Sequence, residues 1–246
     1  RFGNELFTLR LLYKQPVTAQ YIDAGAKGKL DLSTIGQFMK LPEGTKIGGQ
    51  VIADLAAKGN LKVVLQQQPG PFQANGVVQL VNVSYASKEF PQPVKNTNAR
   101  IQFSNPDGKP DNTIVDITDG HTEIGTDKID FGLMLIHPAT DPEFKARVKG
   151  GLALDRIKQW YDFAPGTKLD GHLDADLQAI GKKSMIDQKK YAQVQTSGKV
   201  IVNDLLYATK EYTGGLQLKN AQFEITPKVI SILAAKGSFQ QTGFEA

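Results

Sequence analysis

The chain has 246 residues, enough for one large all-β domain or two ordinary ones with a sizeable core. Hydrophobic residues make up 40% and charged residues 22%, a globular composition, and the formal charge of +4 rests on scattered lysines (Lys27, Lys29, Lys58, Lys62, Lys145, Lys149) rather than a basic stripe, which argues against a nucleic-acid partner. The absence of cysteine excludes disulfides, thiolate chemistry and Cys-based metal sites.

No apolar run approaches the ~20 residues a membrane-spanning helix needs; the longest lies around Leu133–Ile136. The first residue is Arg1 rather than Met, so the chain reads as part of a longer protein whose membrane anchor can lie elsewhere.

In chain order, the first predicted strand is Lys29–Leu32. A short helix follows at Ser33–Lys40, with Ile35, Phe38 and Met39 at helical spacing, Ser33 as N-cap and Pro42 and Gly44 as the stop. Ile47–Leu55 alternates, with Ile47, Gly49, Val51, Ala53 and Leu55 on one side, the mark of a half-buried strand. Gly76–Leu80, Ala99–Phe103, Thr113–Thr118 and Asp130–Ile136 read the same way. A second short helix is predicted over Asp155–Phe163, through Ile157, Trp160 and Tyr161, with Asp155 as N-cap. Leu169–Leu177, Leu216–Leu218, Ala221–Ile225 and Lys228–Ala234 complete the strands.

The second list repeats the first. Shifted by 122 positions, Lys27-Gly28-x-Leu30-x-Leu32-x-x-Ile35 falls on Lys149-Gly150-x-Leu152-x-Leu154-x-x-Ile157. Gly49-x-Val51-x-Ala53-Asp54-Leu55 falls on Gly171-x-Leu173-x-Ala175-Asp176-Leu177, and Tyr85-Ala86 on Tyr207-Ala208. After about Phe103 the register slips, and Gly120 best meets Gly237. Two tandem β-rich repeats are therefore expected, residues 1–128 and 129–246, cored by Phe7–Lys128 and Ile129–Ala246. They form a mainly β, elongated, curled antiparallel sheet with one short helix per repeat.

Such a unit has one apolar sheet face and too little helix to cover it. Either a second sheet packs on that face, or the face stays open as a trough for a ligand. The candidate lining is Leu30, Leu32, Val51, Leu55, Val78, Leu80 and Phe103 in the first unit. In the second it is Leu152, Leu154, Leu173, Leu177, Val200, Val202 and Ile225. Alternation alone leaves both solutions open.

The order Lys-Gly-x-Leu-x-Leu, short helix, then Gly-Thr-Lys-Leu-Asp-Gly-His-Leu-Asp-Ala-Asp-Leu at Gly166–Leu177 resembles the C-terminal region of the AsmA family, relatives of TamB and the bridge-like lipid transfer proteins. The resemblance continues through Gly181, Gly198, Asn203–Tyr207, Leu216–Ile225 and Gly237-x-Phe239, covering nearly the whole chain twice. It implies a Gram-negative envelope protein, periplasmic and anchored to the inner membrane by an N-terminal helix. Its apolar β-groove would bind or conduct phospholipid or another acyl lipid in outer-membrane biogenesis. The alternative is a structural or protein-binding module that assists outer-membrane protein assembly.

No catalytic residue, metal or cofactor is expected. His172, Asp174 and Asp176 share one strand face, but the first unit has Gln50, Ile52 and Asp54 there, so a solvated polar face is the reading. Asp116, Asp119, His121 and Glu123 surround Gly120 in what reads as a turn, with acids bonding local backbone. His137 reads as a polar strand end, and no Gly-x-Ser-x-Gly elbow occurs.

Overall fold

The computed structural model describes residues 7–18, 20–37, 39–88, 92–159 and 162–246. Thirteen strands follow one another in a single antiparallel meander. They are β1 (Phe7–Lys14), β2 (Tyr21–Asp31), β3 (Lys46–Asn60), β4 (Phe72–Ala86), β5 (Val94–Asn105), β6 (Ile114–Ile124) and β7 (Asp127–Ile136). Then come β8 (Glu143–Ala153), β9 (Lys168–Lys182), β10 (Gln195–Ala208), β11 (Leu216–Ile225), β12 (Ile230–Phe239) and β13 (Thr242–Glu245). The helical pieces are 3-10 turns η1 (Leu32–Gln37), η2 (Pro110–Asn112), η3 (Leu154–Gln159) and η4 (Tyr191–Gln193), with one-turn helices α1 (Leu61–Leu65) and α2 (Lys183–Asp187).

The sheet is curled and unclosed. Each strand packs substantially only on its neighbours in sequence and on the short helices, so among the described residues no second sheet faces it. Its surface of 15594 Å² far exceeds the roughly 10,800 Å² expected of a compact 26.8 kDa protein. Among the described residues no large side chain is fully buried. Burial is confined to small clusters, such as Leu154, Leu169 and Val202 beneath η3, and Leu218, Ala221 and Ala235 beside it.

The predicted helices are corrected in kind and extent. They are 3-10 turns beginning at Leu32 and Leu154, one residue before Ser33 and Asp155. Asp31 supplies the first cap: its carboxylate accepts both the backbone N–H and the hydroxyl of Ser33, and Thr34 donates to its carbonyl. Those bonds hold the carboxyl of Asp31 below the usual aspartate range, led by the Ser33 hydroxyl. Phe38, Trp160 and Tyr161 lie outside the described residues, and the predicted ends beyond them, Met39–Lys40 and Asp162–Phe163, are not helical. The predicted turn at Asp116–Glu123 is also corrected. These residues lie inside β6, where Asp119 adopts φ 52° and the pairing to β7 skips from Ile117–Leu133 to Gly120–Phe131, a bulge.

Several structural details recur 122 positions apart. β2, η1, β3 and α1 have the same bounds as β8, η3, β9 and α2 after that shift. Left-handed backbone recurs at Gln15 and His137, Gly44 and Gly166, Gly49 and Gly171, Gln67 and Lys189, and Asn82 and Asp204. The pairing of β3 with β4 slips between Gly48–Ser84 and Gln50–Val81, and that of β9 with β10 between Asp170–Leu206 and His172–Asn203. The expected boundary at Lys128/Ile129 falls within the first residues of β7.

Register adds a stagger. From Gly28 the chain of direct neighbours runs through Ala53, Val78, Ile101, Ile117 and Leu133 to Ala146. The residue 122 positions after Gly28 is Gly150, so six strands carry a shift of four residues along the strand.

Candidate functional site

Directly opposed residues in a ladder place their side chains on the same face, so the pairing fixes what each face displays. One face is apolar across the sheet. A first row runs Ala26, Leu55, Gly76, Phe103, Val115, Leu135, Phe144. The row through Gly28 lies beside it. Beyond that, Leu30, Val51, Leu80 and Ala99 reach the β6 bulge, and Phe131, Val148, Leu177, Gly198, Ile225 and Ile230 continue past it. Two more rows cover the second half: Ile129, Gly150, Ala175, Val200, Phe223, Ile232, and Leu152, Leu173, Val202, Ala221, Ala235.

All the strand-borne candidates of the first unit (Leu30, Val51, Leu55, Val78, Leu80, Phe103) and of the second (Leu152, Leu173, Leu177, Val200, Val202, Ile225) fall on this face. Leu32 and Leu154 stand apart, in η1 and η3. Leu32, Leu154 and Val202 are only 7%, 6% and 8% exposed, so they are packing rather than free surface. The other eleven are part-exposed. Gly76 has a definite role: a Cβ there would stand 2.6 Å from Leu55 Cδ2 and 2.7 Å from Phe103 Cε1. Its bare backbone lets those two side chains close over it.

The sequence reading missed the middle of this face. Ile101, Val115, Ile117, Phe131, Leu133, Leu135 and Phe144 join the two halves into one surface. Their alternation is visible in the sequence, but Val115, Ile117, Phe131, Leu133 and Leu135 lie where the 122-residue match that marks the other positions has faded.

The opposite face is predominantly polar, with Ile52, Ile114, Met134, Ile180 and Ile201 as exposed apolar exceptions, and several of its charges are paired. Lys27 pairs with Asp54 at 2.7 Å, and Lys149 with Asp176 at 3.1 Å, 122 positions later. The hydrogen bond to Asp54 raises the pKa of the Lys27 ammonium. A broad depression of about 1080 Å³ opens on this face across β2–β7, where Ile52, Val77, Ile114 and Met134 stand among the polar Lys27, Asp54, Gln102 and Asp116. Asp54 and Asp116 stand on strands three apart, about 14 Å at ~4.8 Å per strand. That exceeds the ~5–9.5 Å separation of paired carboxylates in glycoside hydrolysis.

The histidines are locally satisfied. His121 Nδ1 lies 2.7 Å from Asp130, with Glu123 at 3.7 Å; His137 is 3.4 Å from Asp111; His172 is 3.3 Å from Asp174. His172, Asp174 and Asp176 do share the polar face, but Asp176 turns to Lys149. Among the described residues no group of three or more His, Asp or Glu is placed to hold a metal ion. No described helix is long and apolar enough to cross a membrane.

Comparisons with protein-family models, curated proteins and solved structures find no match to this chain.

Proposed function

We propose that this chain is two copies of one six-strand unit in a lipid-handling protein of the Gram-negative envelope, and that its apolar face carries acyl chains. The observation that carries the reading is an apolar surface crossing the sheet from β2 to β12 with no opposing layer among the described residues. Such a face is costly in water unless something apolar covers it. The recurrence of helices, bulges and left-handed residues at 122 positions supports two copies of one unit. The AsmA-like order of motifs supports the envelope setting, a periplasmic location and an inner-membrane anchor elsewhere in the parent protein.

A lipid fits the dimensions. Neighbouring strands are ~4.8 Å apart, so eleven strands span roughly 50 Å, more than twice an extended acyl chain. Each methylene transferred from water to this floor is worth ~0.8 kcal/mol. No bond is made or broken in this role, so no residue serves as a catalyst and no cofactor takes part. The protein supplies a dry path on one side and a water-compatible back on the other.

The test is site-specific photo-crosslinking with benzoylphenylalanine in cells, followed by mass spectrometry. Probes at Val115 and Leu135, on the apolar face, are expected to capture phospholipid. Probes at Gln102 and Lys145, on the polar face, are expected to capture none. Polypeptide instead of lipid at the apolar positions would replace this reading with a protein-binding module for outer-membrane assembly.

A further inference from the structure

In an antiparallel meander, every connection that follows an odd-numbered strand emerges at the same rim. We propose that this rim docks on the surface of an anionic phospholipid bilayer through the tips formed by α1 and by α2 with η4. The proposal stands on charge and exposure at that rim, independently of what occupies the apolar face.

The two tips lie after β3 and β9, six strands apart, or roughly 29 Å. Each turns an apolar side chain into water: Leu65 is 68% exposed on α1, Ile186 45% on α2, and Tyr191 62% on η4. Two further connections of the same rim do likewise, with Val17 86% and Val229 56% exposed. Neither one-turn helix has a buried residue. Isolated apolar residues on protruding tips bury no core, whereas aliphatic side chains and a tyrosine flanked by lysines suit the headgroup layer of a membrane.

The charge is complementary to anionic lipid. The six connections of this rim carry six lysines against four aspartates, a net of two positive charges. All four aspartates are engaged by the protein. Asp107 accepts from the Lys109 N–H and Asn112, Asp111 from Thr140, Asp141 from Ser184, and Asp187 pairs with Lys183. Among the described residues the side chains of Lys62, Lys109, Lys189, Lys190 and Lys228 have no ion pair. The connections of the opposite rim carry five basic and five acidic residues, so the attraction is one-sided. Lys189-Lys190 directly precedes the exposed Tyr191, which places headgroup attraction and interfacial anchoring on one tip.

The experiment is co-sedimentation of the purified chain with sonicated vesicles of phosphatidylcholine, alone or doped with phosphatidylglycerol, at low and high sodium chloride. Binding is expected only to the anionic vesicles and is expected to weaken with salt. Lys189→Gln with Lys190→Gln is expected to lower the partition coefficient about 25-fold, a factor of about five per lysine. Leu65→Ser with Ile186→Ser is expected to abolish the part of the binding that survives high salt. These positions are exposed, so an unchanged far-UV circular dichroism spectrum shows that the variants fold. Equal binding to neutral vesicles, or partition unmoved by both double variants, overturns the proposal. So does a duplex oligonucleotide that displaces the chain from vesicles at equal charge. The Lys189→Gln, Lys190→Gln chain is expected to keep any lipid crosslinked at Val115, which separates this surface from the apolar face.

Discussion

Asp127 is a buried carboxylate that joins three elements. It starts β7, is 5% exposed, and its Oδ2 lies 2.5 Å from Arg156 Nη1, while the Arg156 side chain is 14% exposed. The same Oδ2 accepts the Ala153 N–H at 2.8 Å, and Arg156 Nη1 also donates to the Ile124 carbonyl. One carboxylate thus ties the β6–β7 turn to the end of β8 and to η3, which covers Val202 and Leu169. Asp127→Ala leaves a buried guanidinium without its counter-charge and an N–H without its acceptor, a loss of about 3–5 kcal/mol. For a chain of this size that lowers the melting temperature by roughly 10 °C. Arg156→Met keeps the packed stem and removes the charge, so the double variant should recover part of the loss, with a coupling of at least ~1 kcal/mol. Urea melts followed by circular dichroism and by the emission of Trp160, the only tryptophan and the neighbour of η3 in sequence, read both quantities. A loss below ~1 kcal/mol for Asp127→Ala, or strictly additive single variants, would refute a buried, coupled pair.

Gly49 and Gly171 adopt φ 92° and 118°, and a Cβ on either would meet backbone within 2.5–2.8 Å. Gly49→Ala and Gly171→Ala should therefore cost similar amounts, about 1–3 kcal/mol each in denaturant melts; widely unequal costs argue against equivalent units. The carboxyl of Asp141 is held below the usual aspartate range, first by the Ser184 hydroxyl and then by its N–H. Because the folded value is depressed, its contribution is complete above an unfolded value near ~3.9 and is lost as pH falls through the folded value. The acid limb of the stability profile should accordingly be shallower in Asp141→Asn, and a limb of unchanged slope counts against the cap. Lys27→Ala and Lys149→Ala break exposed cross-strand pairs and should leave the melting temperature within experimental error.

The strands were legible because their alternation is strict: Val51, Ala53 and Leu55 face one way, and Ile52 and Asp54 the other. The short helices were overextended because Ile35 and Ile157 sit at helical spacing, a pattern a 3-10 turn shares over so few residues. Asp119 misled in the opposite direction. Its acidic neighbours around Gly120 look like a turn, yet its left-handed backbone lets the strand absorb it as a bulge. What covers the apolar face was not legible at all, because alternation reports a face and never its neighbour. The sequence also grouped Leu32, Leu154 and Val202 with the open lining, since burial beneath a six-residue turn leaves no periodic trace.

The four-residue stagger constrains anything long that lies on the apolar face. A straight occupant following direct neighbours leaves Leu55 and arrives on β9 at Gly181, not at the corresponding Leu177. To keep meeting corresponding positions it must run oblique to the hydrogen bonds by roughly 25°, from about 13 Å of shift over about 29 Å of width. The apolar face is therefore a winding ramp, and anything long laid across it to meet corresponding positions must turn with it.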